Sequence, residues 1–112
     1  MPLLEVATSE ENGAVRIALS GELDISTAPR VEEELERVEP DGPAVLVLDL
    51  RGVSFMDSTG LRLIVSADGR ARDQGRRLAV VRGPETVQRI FRVTRLEERL
   101  DMVDDPAAVA AG

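Results

Sequence analysis

The chain is predicted to form an α/β domain: a mixed sheet of four or five strands with its helices packed mainly on one side. Three observations carry this. Two short strands near the start flank Asn12-Gly13, a strong hairpin signal, and pair antiparallel. Apolar strand-like runs then alternate with helical apolar stripes, so later strands need crossover connections and pair in parallel. Breaks rich in Pro, Gly and Asp separate these segments, with no linker and no internal repeat.

The elements follow in order. Leu3–Ser9 and Ala14–Ser20 read as strands. In the second, Val15, Ile17 and Leu19 alternate with Ala14, Arg16 and Ala18, the period of a strand with two unlike faces, and Arg16 is expected outward. Gly21-Glu22-Leu23-Asp24 reads as the strand's close and the start of a loop. The first helix begins near Thr27-Ala28-Pro29, with Thr27 as a competent cap and Pro29 tolerated in the first turn. Val31, Leu35 and Val38 form its apolar stripe, with Glu32, Glu33, Glu34 and Glu36 mostly off it. Pro40-Asp41-Gly42-Pro43 breaks the pattern.

Ala44–Leu50 reads as a strand, apolar enough at Val45–Leu48 to lie centrally. A polar loop follows and narrows to Asp57-Ser58-Thr59-Gly60. A second helix is expected over about Thr59–Asp73, burying Leu61, Ile64, Val65 and Ala71. Gly69 weakens its middle by up to about 1 kcal/mol relative to Ala, and Gly75 is a good stop. Leu78–Val81 is a short strand. Pro84-Glu85 opens a third helix with Val87, Ile90 and Phe91 as its core face, and Leu100–Val103 reads as an edge strand. A weak alanine-rich tail helix over 105–111, expected to fray, follows a core of about 3–103. One domain over 1–112 is the reading for 112 residues.

Composition excludes several functions. The chain has no His, Cys, Lys, Trp or Tyr, and all 14 basic residues are arginine. Ser-His-Asp triads, Ser-Lys dyads, Schiff-base lysines, P-loop lysines and Cys/His zinc sites cannot be built from it. No catalytic residue, metal or cofactor is expected. A net charge of −7 opposes direct nucleic-acid binding. The two aromatics, Phe55 and Phe91, make no stacking platform for single strands. With no membrane-length apolar stretch and no basic leader, a cytoplasmic location is the default.

The turn at residues 57–60 holds the most specific pattern. A strand feeding a helix through a serine turn places that hydroxyl at the helix mouth, where a serine can cap the helix and remain accessible. Local pattern leaves Ser58 open as a plain cap or a modified residue, with Thr59 as a second possible acceptor. Asp57 alone reads as a further cap or a solvated acid, and Asp24 as a loop aspartate. Gly60 either admits a partner's backbone or relaxes the first turn. The group Arg70, Arg72, Arg76 and Arg77 reads as a solvated helix end, with polyanion binding as the alternative.

The segments GELDISTAP, VLDLRGVSFMDSTGLRLIV, GRRLAVV, GPETVQRIF and TRLEERL, in that order, resemble the anti-sigma factor antagonists. These are bacterial single-domain members of the STAS family, and the resemblance spans about Leu3–Val103. It implies a STAS-type sheet and a non-enzymatic role. It also implies phosphorylation of Ser58 by a partner kinase that is itself the anti-sigma factor. The unphosphorylated antagonist would bind that kinase and free the sigma factor. The phosphorylated form would not bind, and a protein phosphatase would restore it. Asp24 and Asp57 match the family's acidic residues flanking the site, so Asp24, Asp57, Ser58, Thr59 and Gly60 form the implied partner-binding set. The resemblance also admits a constitutive scaffold or transporter-associated module in which Ser58 only caps.

A phosphate on Ser58 would add about −1.5 to −2 charge at a helix end that tolerates anions. A steric and electrostatic block is therefore expected rather than a fold change. Two positions depart from the family. Arg95 stands where glycine is usual, costing roughly 1 kcal/mol if the position needs positive φ. Gly83-Pro84-Glu85 replaces the usual Asn-Pro helix start.

Overall fold

Strands β1 (Leu4–Glu11) and β2 (Ala14–Leu23) form the antiparallel hairpin, with Leu4 opposite Gly21 and Glu11 opposite Ala14. The computed structural model describes residues 3–11 and 13–109, so Asn12 of the expected turn lies outside the described residues. Helix α1 (Ala28–Val38) leads through a short 3-10 turn, Glu39–Asp41, into β3 (Val45–Met56). Helix α2 (Ser58–Asp73), strand β4 (Arg77–Val81), helix α3 (Glu85–Val93), a 3-10 turn at Leu96–Glu98 and strand β5 (Asp101–Val103) complete the order. The five strands lie as β1-β2-β3-β4-β5, and every pairing after the hairpin is parallel. This is the predicted mixed sheet.

Two segments expected as loop are strand. β2 continues through Gly21-Glu22-Leu23, and β3 continues through Arg51–Met56. The reason lies between the strands. β4 pairs with β3 only as far as Asp49, but β2 accompanies it to Met56 through the pairs Glu22 with Phe55 and Leu23 with Met56. The polar residues of this stretch lie where one sheet face is open, while Val53 and Met56 are buried. Gly21 makes the extension possible. Its φ is +116°, and a Cβ there would stand 2.2 Å from the Leu3 carbonyl oxygen. That carbonyl accepts from the Glu22 N–H at 2.8 Å.

All three helices lie against one face. Ala28, Val31, Leu35 and Val38 of α1, Leu61, Leu63, Ile64, Ala67 and Ala71 of α2, and Val87 and Phe91 of α3 share a core with the inward residues of the sheet. Three details differ from the sequence reading. Val65 is 38% exposed, whereas Leu63 and Ala67 take the buried positions. Ile90 is half-buried against the core, and the neighbouring buried group is Gln88. The Gln88 carboxamide accepts from the Gly83 N–H at 2.9 Å and donates to Glu97 at 3.0 Å, which ties the loop before α3 to the turn after it.

The helix-free face has a smaller core of Ala14, Val45, Val47, Ala79 and Val81, closed by Val109. The expected helix over 105–111 is instead a 3-10 turn, Pro106–Val109, and 110–111 lie outside the described residues. It is held by Val109, whose burial against both central parallel strands supplies what its weak helix propensity does not. Above this cluster, Asp49 is buried between Arg16 at 3.0 Å and Arg51 at 2.8 Å. Burial opposes its charge, and the Arg51 guanidinium and N–H, with Arg16, overcome that and hold its carboxyl below the usual range. Arg16 does point outward, but into an ion pair. The arginines at the end of α2 and the start of β4 are also largely committed: Arg70 to Glu39, Arg72 to Asp68 and Arg77 to Asp101.

Glu34 fastens α1 to β1 and pairs with Arg37 of its own helix. Its carboxylate binds Arg37 and accepts from the Thr8 hydroxyl of β1. These bonds, Arg37 first, draw its pKa from 4.5 down to about 2. A depressed carboxylate stabilises the fold above its unfolded value and loses that contribution as pH falls. Stability should therefore decline from about pH 4.5 toward about 2, and Glu34→Gln should flatten this limb in urea titrations at stepped pH.

Two positions invite stabilisation. Arg95 has φ +63°, the one non-glycine positive φ among the described residues. A Cβ on Gly69 would meet nothing within 4 Å. Arg95→Gly and Gly69→Ala should each raise stability by about 0.5–1 kcal/mol, read as a higher denaturant midpoint at unchanged slope.

Candidate functional site

The parallel register of β2 and β3 builds the site. Leu23 and Met56 end their strands side by side, and the Asp57 N–H donates to the Leu23 carbonyl at 3.3 Å. The loop after β2, with Asp24, therefore lies beside the turn that starts α2. This is the carboxyl edge of the sheet, where open α/β sheets place their functional loops.

Asp57 is the N-cap of α2. Its backbone is extended, and its carboxylate Oδ1 accepts from the N–H of Thr59 at 2.8 Å and of Gly60 at 3.3 Å. Ser58 is the first helical residue rather than the cap. An aspartate preceding it already accepts from two of the free N–H groups, so the serine hydroxyl is released from that duty. Ser58 is exposed, and among the described residues its Oγ has no hydrogen-bond partner. Thr59 is half-buried and turns toward the groove between α1 and α2. Gly60 is buried, and a Cβ on it would stand 2.8 Å from Leu23 Cγ and 2.8 Å from Met56 Cγ. The protein's own packing thus requires this glycine: the first turn of α2 rests directly on the ends of two strands.

Asp24 is spent on its own loop. Its Oδ1 accepts from the Ser26 N–H at 2.9 Å, the Ser26 hydroxyl at 2.6 Å and the Thr27 N–H at 3.2 Å. The Ser26 hydroxyl above all, against the opposing effect of burial and aided by the Ser26 and Thr27 N–H groups, holds the Asp24 carboxyl below its ordinary 3.8. Thr27 stands before α1 but makes no side-chain cap. Its buried hydroxyl donates to the Glu22 carbonyl at 2.8 Å and accepts from the Asp24 N–H at 3.0 Å. These bonds hold Ile25 at the tip of the loop, 74% exposed.

Sequence reasoning missed Ile25, Arg62 and Val65. Helical spacing could have found the last two. Positions i+4 and i+7 from Ser58 are Arg62 and Val65, which share its exposed face. Beside them a groove of about 450 Å³ runs between α1 and α2, lined by Glu32, Glu36, Thr59, Arg62, Ser66 and Arg70 among others. The surface around Ser58 thus combines a free hydroxyl, isolated apolar side chains and charges of both signs.

A family model described as "Mlab, STAS domain" matches residues 6–104. The chain belongs to the STAS family. Within that family it is similar to the anti-sigma-B factor antagonist of Staphylococcus aureus, with 30% identity over 95 residues, 85% of this chain and 88% of that one. Solved structures share the STAS fold. An anti-sigma factor antagonist from Mycobacterium paratuberculosis superposes with a TM-score of 0.82 at 24% identity, covering 94% of this chain and 89% of that one. The Bacillus cell fate determinant SpoIIAA matches in its unphosphorylated form, with a TM-score of 0.78 at 20% identity over 94% of this chain and 93% of that one. Its phosphorylated form matches with a TM-score of 0.73 at 19% identity over 94% and 96%. Among the described residues, no helix of this STAS domain is long and apolar enough to cross a membrane.

The division of labour between Asp57 and Ser58 has a direct test. Asp57→Ala should cost about 1 kcal/mol, the usual loss for an N-cap. Ser58→Ala should stay within about 0.5 kcal/mol of the parent. Urea unfolding of both variants measures this, and the reverse ranking would return the capping role to Ser58.

Proposed function

We propose that this protein is an anti-sigma factor antagonist switched by phosphorylation of Ser58. In the unphosphorylated state it binds a serine-kinase anti-sigma factor, and the sigma factor is released. The kinase then transfers the γ-phosphoryl group of ATP to Ser58 Oγ. The new O–P bond replaces the bond to the β-phosphate oxygen, ADP leaves, and the hydroxyl proton passes to a base on the kinase. A phosphatase hydrolyses the ester and restores the binding form.

One observation carries the reading: Ser58 is exposed and unbonded in a turn whose cap is a different residue. A hydroxyl held by the backbone would have to break that bond to react, and its loss would weaken the helix. Here the acceptor can be modified while Asp57 keeps α2 in place. The helix N-terminus favours the added anion, so the phosphate can be carried without unfolding. The cap of α2 is Asp57, which favours this reading over the one in which Ser58 only caps the helix. The similarity to the S. aureus antagonist favours the same partner class.

The block on binding is local. Asp57 precedes the serine and Asp24 lies on the adjoining loop, and their carboxylates are already engaged by backbone N–H groups. A phosphate would add bulk and uncompensated charge to a surface fitted to a neutral hydroxyl. A buried unpaired charge at an interface costs about 2–5 kcal/mol, or tens to thousands of fold in affinity.

Incubation with the cognate kinase and ATP, followed by mass spectrometry, should place one phosphate on Ser58. Ser58→Ala should bind the kinase and resist the switch, and Ser58→Glu should bind at least tenfold more weakly, by roughly the cost above. Label on Thr59 or elsewhere, or unchanged binding of Ser58→Glu, would overturn the proposal.

A further inference from the structure

We infer that Arg62 captures the phosphate placed on Ser58, so that modification adds a negative charge and at the same time withdraws a cation from the partner-facing surface. This rests on the reading of Ser58 as the phosphoacceptor and concerns what the phosphate then contacts.

Three observations on α2 support it. Arg62 lies four residues after Ser58, so their Cβ atoms are about 5–6 Å apart on one helix face. Helical side chains lean toward the N-terminus, which directs the guanidinium toward Ser58 rather than away from it. Arg62 is also uncommitted: among the described residues no carboxylate lies within 4 Å of it, whereas Arg70 and Arg72 on the same helix hold Glu39 and Asp68. The remaining charges near the pair are acidic. Asp57 precedes the serine and Asp24 lies on the adjoining loop, both with carboxylates occupied by N–H donors. Glu32 and Glu36 of α1 face Arg62 across the groove, with Arg70 beyond.

A dianionic phosphate offers three oxygens to a planar guanidinium, a stronger acceptor than the exposed glutamates across the groove. In the unmodified protein Arg62 is free for an acidic group on a partner. In the phosphorylated protein it is drawn onto residue 58 of its own helix. The switch would then work twice at one place, by obstruction and by removing an attractive charge.

The test places phosphoserine at position 58 of the full chain during translation, so it needs no kinase and is independent of which residue the kinase labels. The second ionisation of the phosphate is followed by ³¹P NMR. Arg62 favours the dianion, so the phosphate's pKa should be lower in the parent than in Arg62→Gln by about 0.15–0.35. The difference should shrink in salt of about 1 M. Arg62→Lys should retain part of it, and Arg89→Gln, on α3, should match the parent. Equal pKa values in the parent and Arg62→Gln, or an equal shift in Arg89→Gln, would overturn the capture. Kinase labelling away from Ser58 would instead overturn the reading of the acceptor.

Discussion

The position of the site depends on one contact, the first turn of α2 resting on the ends of β2 and β3. Gly60 approaches Leu23 and Met56 so closely that a single methyl group would stand 2.8 Å from each. This closeness sets the height of the helix mouth above the sheet and thereby the position of Ser58. It depends in turn on the parallel register that ends Leu23 beside Met56. A register shift of one residue would turn both side chains to the other face, and the glycine would have nothing to sit on. The site is thus held by the same core that holds the sheet.

Around that contact, the capping and loop-ordering bonds fall on residues other than Ser58. Asp57 accepts from two of the free N–H groups of α2, and Asp24 with Thr27 and Ser26 orders the loop beside it. Both carboxylates are therefore engaged, whereas the Ser58 side chain is exposed. An added phosphate has no structural bond to break. The opposite face is independent of this end. It is closed by Val109 and by the Arg16–Asp49–Arg51 group, a buried carboxylate whose cost is offset by two guanidinium partners.

Much of this was legible in the sequence because it rests on local rules. The alternation Val15, Ile17, Leu19 marks a two-faced strand, and the Val31, Leu35, Val38 stripe marks the buried side of α1. Gly75 stops α2 at φ +68° as its position implies. Arg95, suspected because glycine is usual there, does occupy a positive φ. The resemblance around Asp57-Ser58-Thr59-Gly60 rests on adjacent residues, and such a motif can be read without knowledge of the fold.

What only the tertiary structure decided involves residues brought together from afar. The stretch from Arg51 to Met56 looks like a loop, and it is a strand because Gly21–Leu23, thirty residues earlier, supply an edge for it. Val109 belongs to a core whose other members are strand residues, so the tail is anchored despite its weak local propensity. By itself the sequence determined the order and kind of the main elements, the lack of His, Cys and Lys, and the place of the serine turn between a strand and a helix. Competition for the N–H groups at the start of α2 decided between Asp57 and Ser58 as the cap, and only the backbone angles of a helix seated on two strands settle which side chain reaches them.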